Sequence, residues 1–199
     1  MKKRVVLILA GGGARRMGGR DKGEICLGGK RLIDHVVTRL SKQSDKILIS
    51  GTHDYGTGLA IVPDQKEGPH GPAAGLFAAL KQALDDRQID GFYTVPVDGP
   101  FLPLDLIARL SASGRSMVAS DKNGMHPTFA YWSCDALKAA LSELIDRPSI
   151  SLCSIAKTCG AGEVVWDEDR TFFNVNNPDD LGAAAHIHIE LNDRQGASA

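Results

Sequence analysis

The run Val5-Val6-Leu7-Ile8-Leu9, followed at once by Ala10-Gly11-Gly12-Gly13, constrains this chain more than any other segment. A strand sends successive side chains to opposite faces, so an unbroken apolar run needs cover on both faces, the condition of a parallel strand inside an α/β sheet. The three glycines then let the backbone turn its N–H groups inward without side-chain obstruction, forming a nest for an anion. Arg15, Arg16 and Lys22 lie within reach of the same loop and can neutralise a phosphate chain, the arginines as rigid forks and the lysine as a mobile point charge.

The charge distribution agrees with that reading. The net charge is only −1, yet residues 1–31 hold nine basic residues and two acidic ones, while the rest of the chain is acidic on balance. A positive loop on a mildly acidic body suits a small polyanion; a nucleic acid or an acidic membrane would need a broader basic surface. The apolar start, Val5 to Ala10, is six residues long, too short for a secretion signal or a span. Cys26, Cys134, Cys153 and Cys159 form no CxxC pair, which reads as reduced thiols in a cytoplasmic protein rather than a disulfide framework or zinc site.

Beyond the glycine loop, Leu32, Ile33, Val36, Val37 and Leu40 recur at helical spacing and predict a helix over about 31–43. Strands are expected at Lys46 to Ser50, Leu59 to Val62 and Gly91 to Val97, with a helix carrying Leu76, Phe77, Leu80 and Leu84 before the last of these. Alternating strands and crossovers make a βαβ scaffold within the first 110 residues. The second half predicts strands at Ser116 to Ser120 and Thr128 to Trp132 around an Asp121-Lys122-Asn123-Gly124 turn, and a helix on Leu137, Leu141, Leu144 and Ile145. Short strands at Gly162 to Trp166 and Phe172 to Val175 follow, then a final helix whose first turn holds Pro178, Asp179 and Asp180.

Two common phosphate motifs are excluded. The only Gly-Lys pair, Gly29-Lys30, is followed by Arg31, and Glu24 stands where a Walker loop needs its first glycine. A dinucleotide fingerprint beginning at Gly11 would need a third glycine where Arg16 stands. Asp98, at the carboxyl end of an apolar strand, is a hard oxygen donor suited to Mg²⁺ alongside substrate phosphates, though capping the next helix would also explain it. Asn174 and Asn176 would share one face of their short strand, where each amide can donate and accept toward a polar ring or phosphate. His126, ahead of Pro127, either fills a strand entrance or lines a ligand pocket.

The segment Leu9-Ala10-Gly11-Gly12, with Arg16-Met17-Gly18 and Asp21-Lys22, resembles the signature of the molybdenum cofactor guanylyltransferases. The likeness continues through Gly71-Pro72-Ala73-Ala74-Gly75, Pro96-Val97-Asp98-Gly99-Pro100, His126-Pro127-Thr128 and Asn174-Val175-Asn176-Asn177-Pro178, in family order. It implies a Rossmann-like, three-layer α/β nucleotidyltransferase fold with a mostly parallel central sheet. One domain would span 1–191, with a nucleotide-binding half over about 1–110, an acceptor-binding half over about 111–191, and a frayed tail at 192–199.

The implied reaction is transfer of GMP from GTP to molybdopterin or molybdenum-molybdopterin, with release of pyrophosphate. Leu9, Ala10, Gly11, Gly12 and Gly13 would hold the nucleotide, Lys22 and Arg16 its phosphates, Asp64 would lie near the base, and Asp98 would bind Mg²⁺. His126, Arg147, Asn174 and Asn176 would face the acceptor. Arg147 alone stands where the family often has paired basic residues. Transient contacts with other proteins of cofactor biosynthesis or insertion are also implied. A cytidylyltransferase, a sugar-phosphate nucleotidyltransferase and a nonenzymatic nucleotide-binding protein remain the alternative readings.

Overall fold

The computed structural model describes residues 2–10, 21–63, 72–86, 88–144, 147 and 150–196. A seven-stranded sheet runs through the chain, built from β1 (Val5–Leu9), β4 (Lys46–Ser50), β5 (Ala60–Val62), β6 (Gly91–Pro96), β7 (Met117–Asp121), β8 (Gly124–Ser133) and β9 (Gly162–Val165), in the order β5-β4-β1-β6-β8-β7-β9. The pairings β5/β4, β4/β1, β1/β6 and β7/β9 are parallel, and β8 alone runs against its neighbours β6 and β7. The sheet is therefore mostly parallel, as expected, and both halves of the chain contribute strands to it.

The apolar run at the start explains the layering. Val5, Leu7 and Leu9 face a core that includes Leu76, Phe77 and Leu80 of α2 (Pro72–Leu84), Leu137 and Leu144 of α4 (Cys134–Leu144), and Ile155 of α5 (Leu152–Thr158). Val6 and Ile8 face the other way, onto Ile33, Val36 and Leu40 of α1 (Leu32–Leu40) and Ile107 and Leu110 of α3 (Leu106–Ser111). Each fully buried aliphatic residue contributes roughly 1.5–3 kcal/mol by leaving water. A third cluster joins the small hairpin of β2 (Cys26–Leu27) and β3 (Lys30–Arg31) to α6 (Pro178–Gly196) through Leu27, Leu32, Phe101, Val175, Ala184 and Ile187.

One expected strand is absent. Phe172 to Val175 is not a strand. Phe172 is buried against Phe129 and Trp166, while the Val175 amide donates to the Asp98 carbonyl at 2.9 Å, so the segment crosses the end of the sheet instead of pairing along an edge. α6 runs to Gly196, into the segment expected as a tail from 192. Its start is fixed as the sequence suggests, since Asn177 Oδ1 accepts from the Asp180 amide and Asp180 Oδ2 accepts from the Asn176 amide. β8 is also longer than the expected Thr128 to Trp132, because it closes a hairpin directly onto β7.

Candidate active site

From β1 the chain moves outward to β4 and β5, then returns to place β6 on the other side of β1. The carboxyl ends of β1 and β6 thus meet at a topological switch point, where open α/β sheets leave a crevice for ligands. Leu9 lies opposite Pro96, and the Val97 amide donates to the Leu9 carbonyl at 3.1 Å. Leu9 is buried and Ala10 half-buried, its amide bonded to the Ser50 carbonyl on the β4 side. Asp98 emerges beside them, 9% exposed.

Lys22 reaches this point from a single 3₁₀ turn, Lys22–Glu24. Its Nζ donates to Asp98 Oδ2 at 2.5 Å and to Asn176 Oδ1 at 2.7 Å. The two charged side chains retain only 19% and 12% of their exposure. A desolvated pair of this kind requires further hydrogen bonds to remain favourable, and the Asn176 amide oxygen supplies one. An ammonium has three N–H groups, and two of them are taken up among the described residues.

The turn that carries Lys22 is itself held by a chain of contacts. Asp21 Oδ1 caps it, accepting from the Gly23 amide at 2.8 Å, and also accepts from the Tyr55 hydroxyl at 2.8 Å. Tyr55 adopts a φ of 56°, rare for a residue with a side chain, and its ring lies so close to Gly23 that a Cβ there would meet it at 2.5 Å. Arg31 clamps this conformation by donating to the Tyr55 carbonyl at 2.8 Å, and is oriented by a two-pronged bond to Asp34. Burial, and then the Asp21 carboxylate, push the Tyr55 pKa upward, so the hydroxyl stays a donor. The sequence displays Asp21, Tyr55 and Arg31 but gives no signal of this support, which depends on a long-range approach.

Asn174 and Asn176 do not act as a matched pair on one strand face. Asn176 belongs to the Lys22 cluster, whereas Asn174 lines a cavity of about 360 Å³ with His126, Lys122, Arg170 and Phe172. Asn174 Oδ1 is buried without a hydrogen-bond partner among the described residues, and it packs beside Gly99, where a Cβ would meet Phe129 at 2.5 Å and Asn174 at 3.2 Å. His126 packs on Phe172 at 4.9 Å between ring centroids, and its Nε2 lies 2.9 Å from Asp121 Oδ1. Burial pushes the Asp121 pKa up, but His126 and the Asn123 amide together outweigh it and hold the carboxyl below its ordinary value. The cavity offers hydrogen-bonding groups and an aromatic wall, while its two cations are matched by carboxylates: Asp121 and Asp169 share the lining, Lys122 pairs with Asp169 and Arg170 with Glu190.

The structure does not bring every candidate to these two places. Arg147 is exposed beyond α4, its amide bonded to the Leu144 carbonyl, and it is not part of the His126 cavity. Gly11, Gly12, Gly13, Arg16 and Asp64 lie outside the described residues.

The MobA-like NTP transferase domain family matches residues 6–153. The molybdenum cofactor guanylyltransferase of Mesorhizobium japonicum is 34% identical over 195 residues, covering 91% of this chain and 94% of its own. That of Cereibacter sphaeroides is 36% identical over 187 residues, covering 91% and 95%. Among solved structures, the molybdopterin-guanine dinucleotide biosynthesis protein A of Archaeoglobus fulgidus superimposes with a TM-score of 0.73 over 94% of this chain and 99% of that one; at 21% identity it speaks for the fold.

Proposed function

Because the chain belongs to the molybdenum cofactor guanylyltransferase family, with its MobA-like NTP transferase domain, we propose that it transfers GMP from GTP to the phosphate of molybdopterin or molybdenum-molybdopterin. The observation that carries this reading is the convergence of Lys22, Asp98 and Asn176 at the switch point of the sheet.

A phosphate oxygen of the acceptor attacks the α-phosphorus of GTP, an O–P bond forms, and the bond to the β-phosphate oxygen breaks to release pyrophosphate. The nucleophile is already anionic, so a general base contributes little. The main barrier is repulsion between two polyanions, which positioned positive charge lowers. Lys22 is placed to supply such charge, because Asp98 and Asn176 fix two of its N–H groups and among the described residues the third stays open to a phosphate oxygen. Arg16 and the amides of Gly11, Gly12 and Gly13 are proposed to extend the grip along the triphosphate, and Asp64 to approach the base.

The donor chemistry fits a Mg²⁺ ion at Asp98. The carboxylate is a hard ligand at the rim, and with Oδ2 bonded to Lys22 its other oxygen would take the cation. When bound, the cation would supply charge stabilisation to the transferring phosphoryl group and the leaving pyrophosphate. The cavity holding Asn174 and His126 is assigned to the acceptor, supported by the polar and aromatic lining of His126, Asn174 and Phe172, with Lys122 and Arg170 on its wall beside Asp121 and Asp169.

Pyrophosphate release measured with GTP, CTP, ATP and UTP, each with and without molybdopterin, tests the reading. Release requiring both GTP and molybdopterin is expected. Faster release with CTP would make the chain a cytidylyltransferase, and nucleotide binding without release under any acceptor would make it a binding protein.

A further inference from the structure

On the flank of the molecule, Lys30 of β3, His35 and Arg39 of α1, Lys42 just beyond α1, and His188 of α6 line one cleft of about 390 Å³. None of them belongs to the Lys22 cluster or to the His126 cavity. Among the described residues no carboxylate lines the cleft. Lys30, Arg39 and Lys42 form no ion pair among the described residues, whereas the adjacent Arg31 is occupied by Glu24 and Asp34.

Arg39 is the most telling member. It is half-buried, donates through Nη1 to the Leu102 carbonyl at 3.0 Å, and its pKa is drawn down by burial with no carboxylate to offset the effect. A guanidinium carries five N–H donors, and a partly desolvated cation left without a counter-charge is costly. The electrostatics of His188 report the same excess of positive charge. Burial first, then His35, Lys30 and Arg39, hold its pKa below the ordinary histidine value, and its ring packs edge-on to His35 at 5.2 Å with Asn192 at 3.2 Å from Nε2.

We propose that this cleft is a binding site for a small multivalent anion of the phosphate class. Three cations and two imidazoles converge on a concave volume suited to one or two phosphoryl groups, and phosphate oxygens accept charge-assisted hydrogen bonds from Arg and Lys. The size of the ligand is limited by what lies next door. The adjoining groove shares Arg39, Phe101, Leu104 and Leu191 with the cleft but carries five carboxylates, Asp105, Asp167, Glu168, Asp169 and Glu190, against Arg109 and Arg170. An acidic peptide or a nucleic-acid strand extending that way would run into those carboxylates; a compact anion would not.

The experiment is an NMR titration of the intact protein at constant ionic strength, following the histidine ring signals, with inorganic phosphate, inorganic pyrophosphate and a hexaglutamate peptide as probes. Saturable shifts at His35 and His188 with phosphate or pyrophosphate, together with a rise in the His188 titration midpoint, are expected. The groups facing His188 are His35 and Arg39 from α1, Lys30 from the hairpin and Asn192 from its own helix, so the rise reports an anion entering among them. Lys30 and Lys42 are exposed, so Lys30→Gln/Lys42→Gln should fold normally and weaken binding by about tenfold or more, as loss of two charge-assisted contacts predicts. Lys22→Ala should leave the shifts in place. Shifts that never saturate and match those from chloride would overturn the proposal, as would binding of the peptide alone. Shifts abolished by Lys22→Ala but retained in the double variant would overturn it too, because the anion would then sit at the switch point.

Discussion

Lys22 and Asp98, 76 residues apart in sequence, meet through a 2.5 Å hydrogen bond at the carboxyl end of the sheet. The contact joins the turn following the glycine loop to the loop following β6, so the two segments that would grip a triphosphate are already in register. Lys22→Ala removes the positive charge at that junction and leaves the Asp98 carboxylate without its ammonium partner. Turnover should fall by about 10² or more, the scale on which charge clamps act on a transferring group. Steady-state pyrophosphate release at saturating GTP and Mg²⁺ measures it, and turnover within about twofold of the parent would remove Lys22 from the machinery.

Asp98→Asn keeps the shape of the side chain but deletes the charge that would attract a hard cation. Activity should drop and the Mg²⁺ concentration for half-maximal rate should rise. A cation titration of both proteins separates this from a helix-capping role, for which the midpoint would stay where it is.

Much of this arrangement is legible in the sequence, and the part that is not has a common cause. Val5 to Leu9 announces a covered parallel strand because alternation forces both of its faces inward, and Asp98 is recognisable because an apolar strand ends in front of it. Pairings that depend on two distant segments leave no local trace. The contact of Tyr55 with Asp21, across 34 residues, is invisible until the strands are stacked, and Asn176 looks like a companion of Asn174 only while residues 172–175 are taken for a strand. Phe172 reads as a strand residue for the same reason that it is buried, since apolarity marks burial without saying which backbone conformation achieves it.

Tyr55→Phe tests whether the support behind Lys22 matters for catalysis. The ring remains to pack on Gly23, but the hydroxyl that steadies Asp21 is gone. One net hydrogen bond is worth about 0.5–1.5 kcal/mol, so kcat should fall about two- to twelvefold with little change in KM for GTP, because the effect reaches the reaction through the placement of Lys22. A purely structural role would lower the melting temperature and leave kcat of the folded enzyme unchanged.

Asp34→Asn probes the outer end of the same chain through its pH dependence. Arg31 holds the Asp34 carboxyl below its ordinary pKa. A depressed carboxylate stabilises the fold fully above its unfolded value, near 3.9, and loses that contribution as pH falls through the lower folded value. The parent should therefore melt above the variant at pH 7, by about 2–4 °C for a contribution under about 1 kcal/mol at a partly exposed site, with the gap closing below about pH 4. Thermal melts from pH 7 to pH 3 check this, and a gap that widened on acidification would show that Arg31 does not depend on the ionised form.

Asn174 and Asn176 should separate when each is replaced alone. Asn176 accepts from Lys22, so Asn176→Ala loosens the ammonium that is assigned to the triphosphate, and its main effect should be on turnover with GTP at every acceptor concentration. Asn174 does not share that bond. Its side chain lines the cavity assigned to the acceptor, where the amide N–H groups can donate to a phosphate, so Asn174→Ala should raise the molybdopterin concentration needed for half-maximal rate while leaving GTP affinity nearly unchanged. A lost hydrogen bond to a charged phosphate is worth about 1.5–3 kcal/mol, or roughly 10- to 150-fold, and less where water takes its place. Calorimetry with GTP and Mg²⁺ reports the first site, and acceptor dependence of product formation reports the second. If Asn174→Ala weakened GTP and left acceptor dependence unchanged, the His126 cavity would lose its claim on the acceptor, and the amide would have to be counted with the nucleotide.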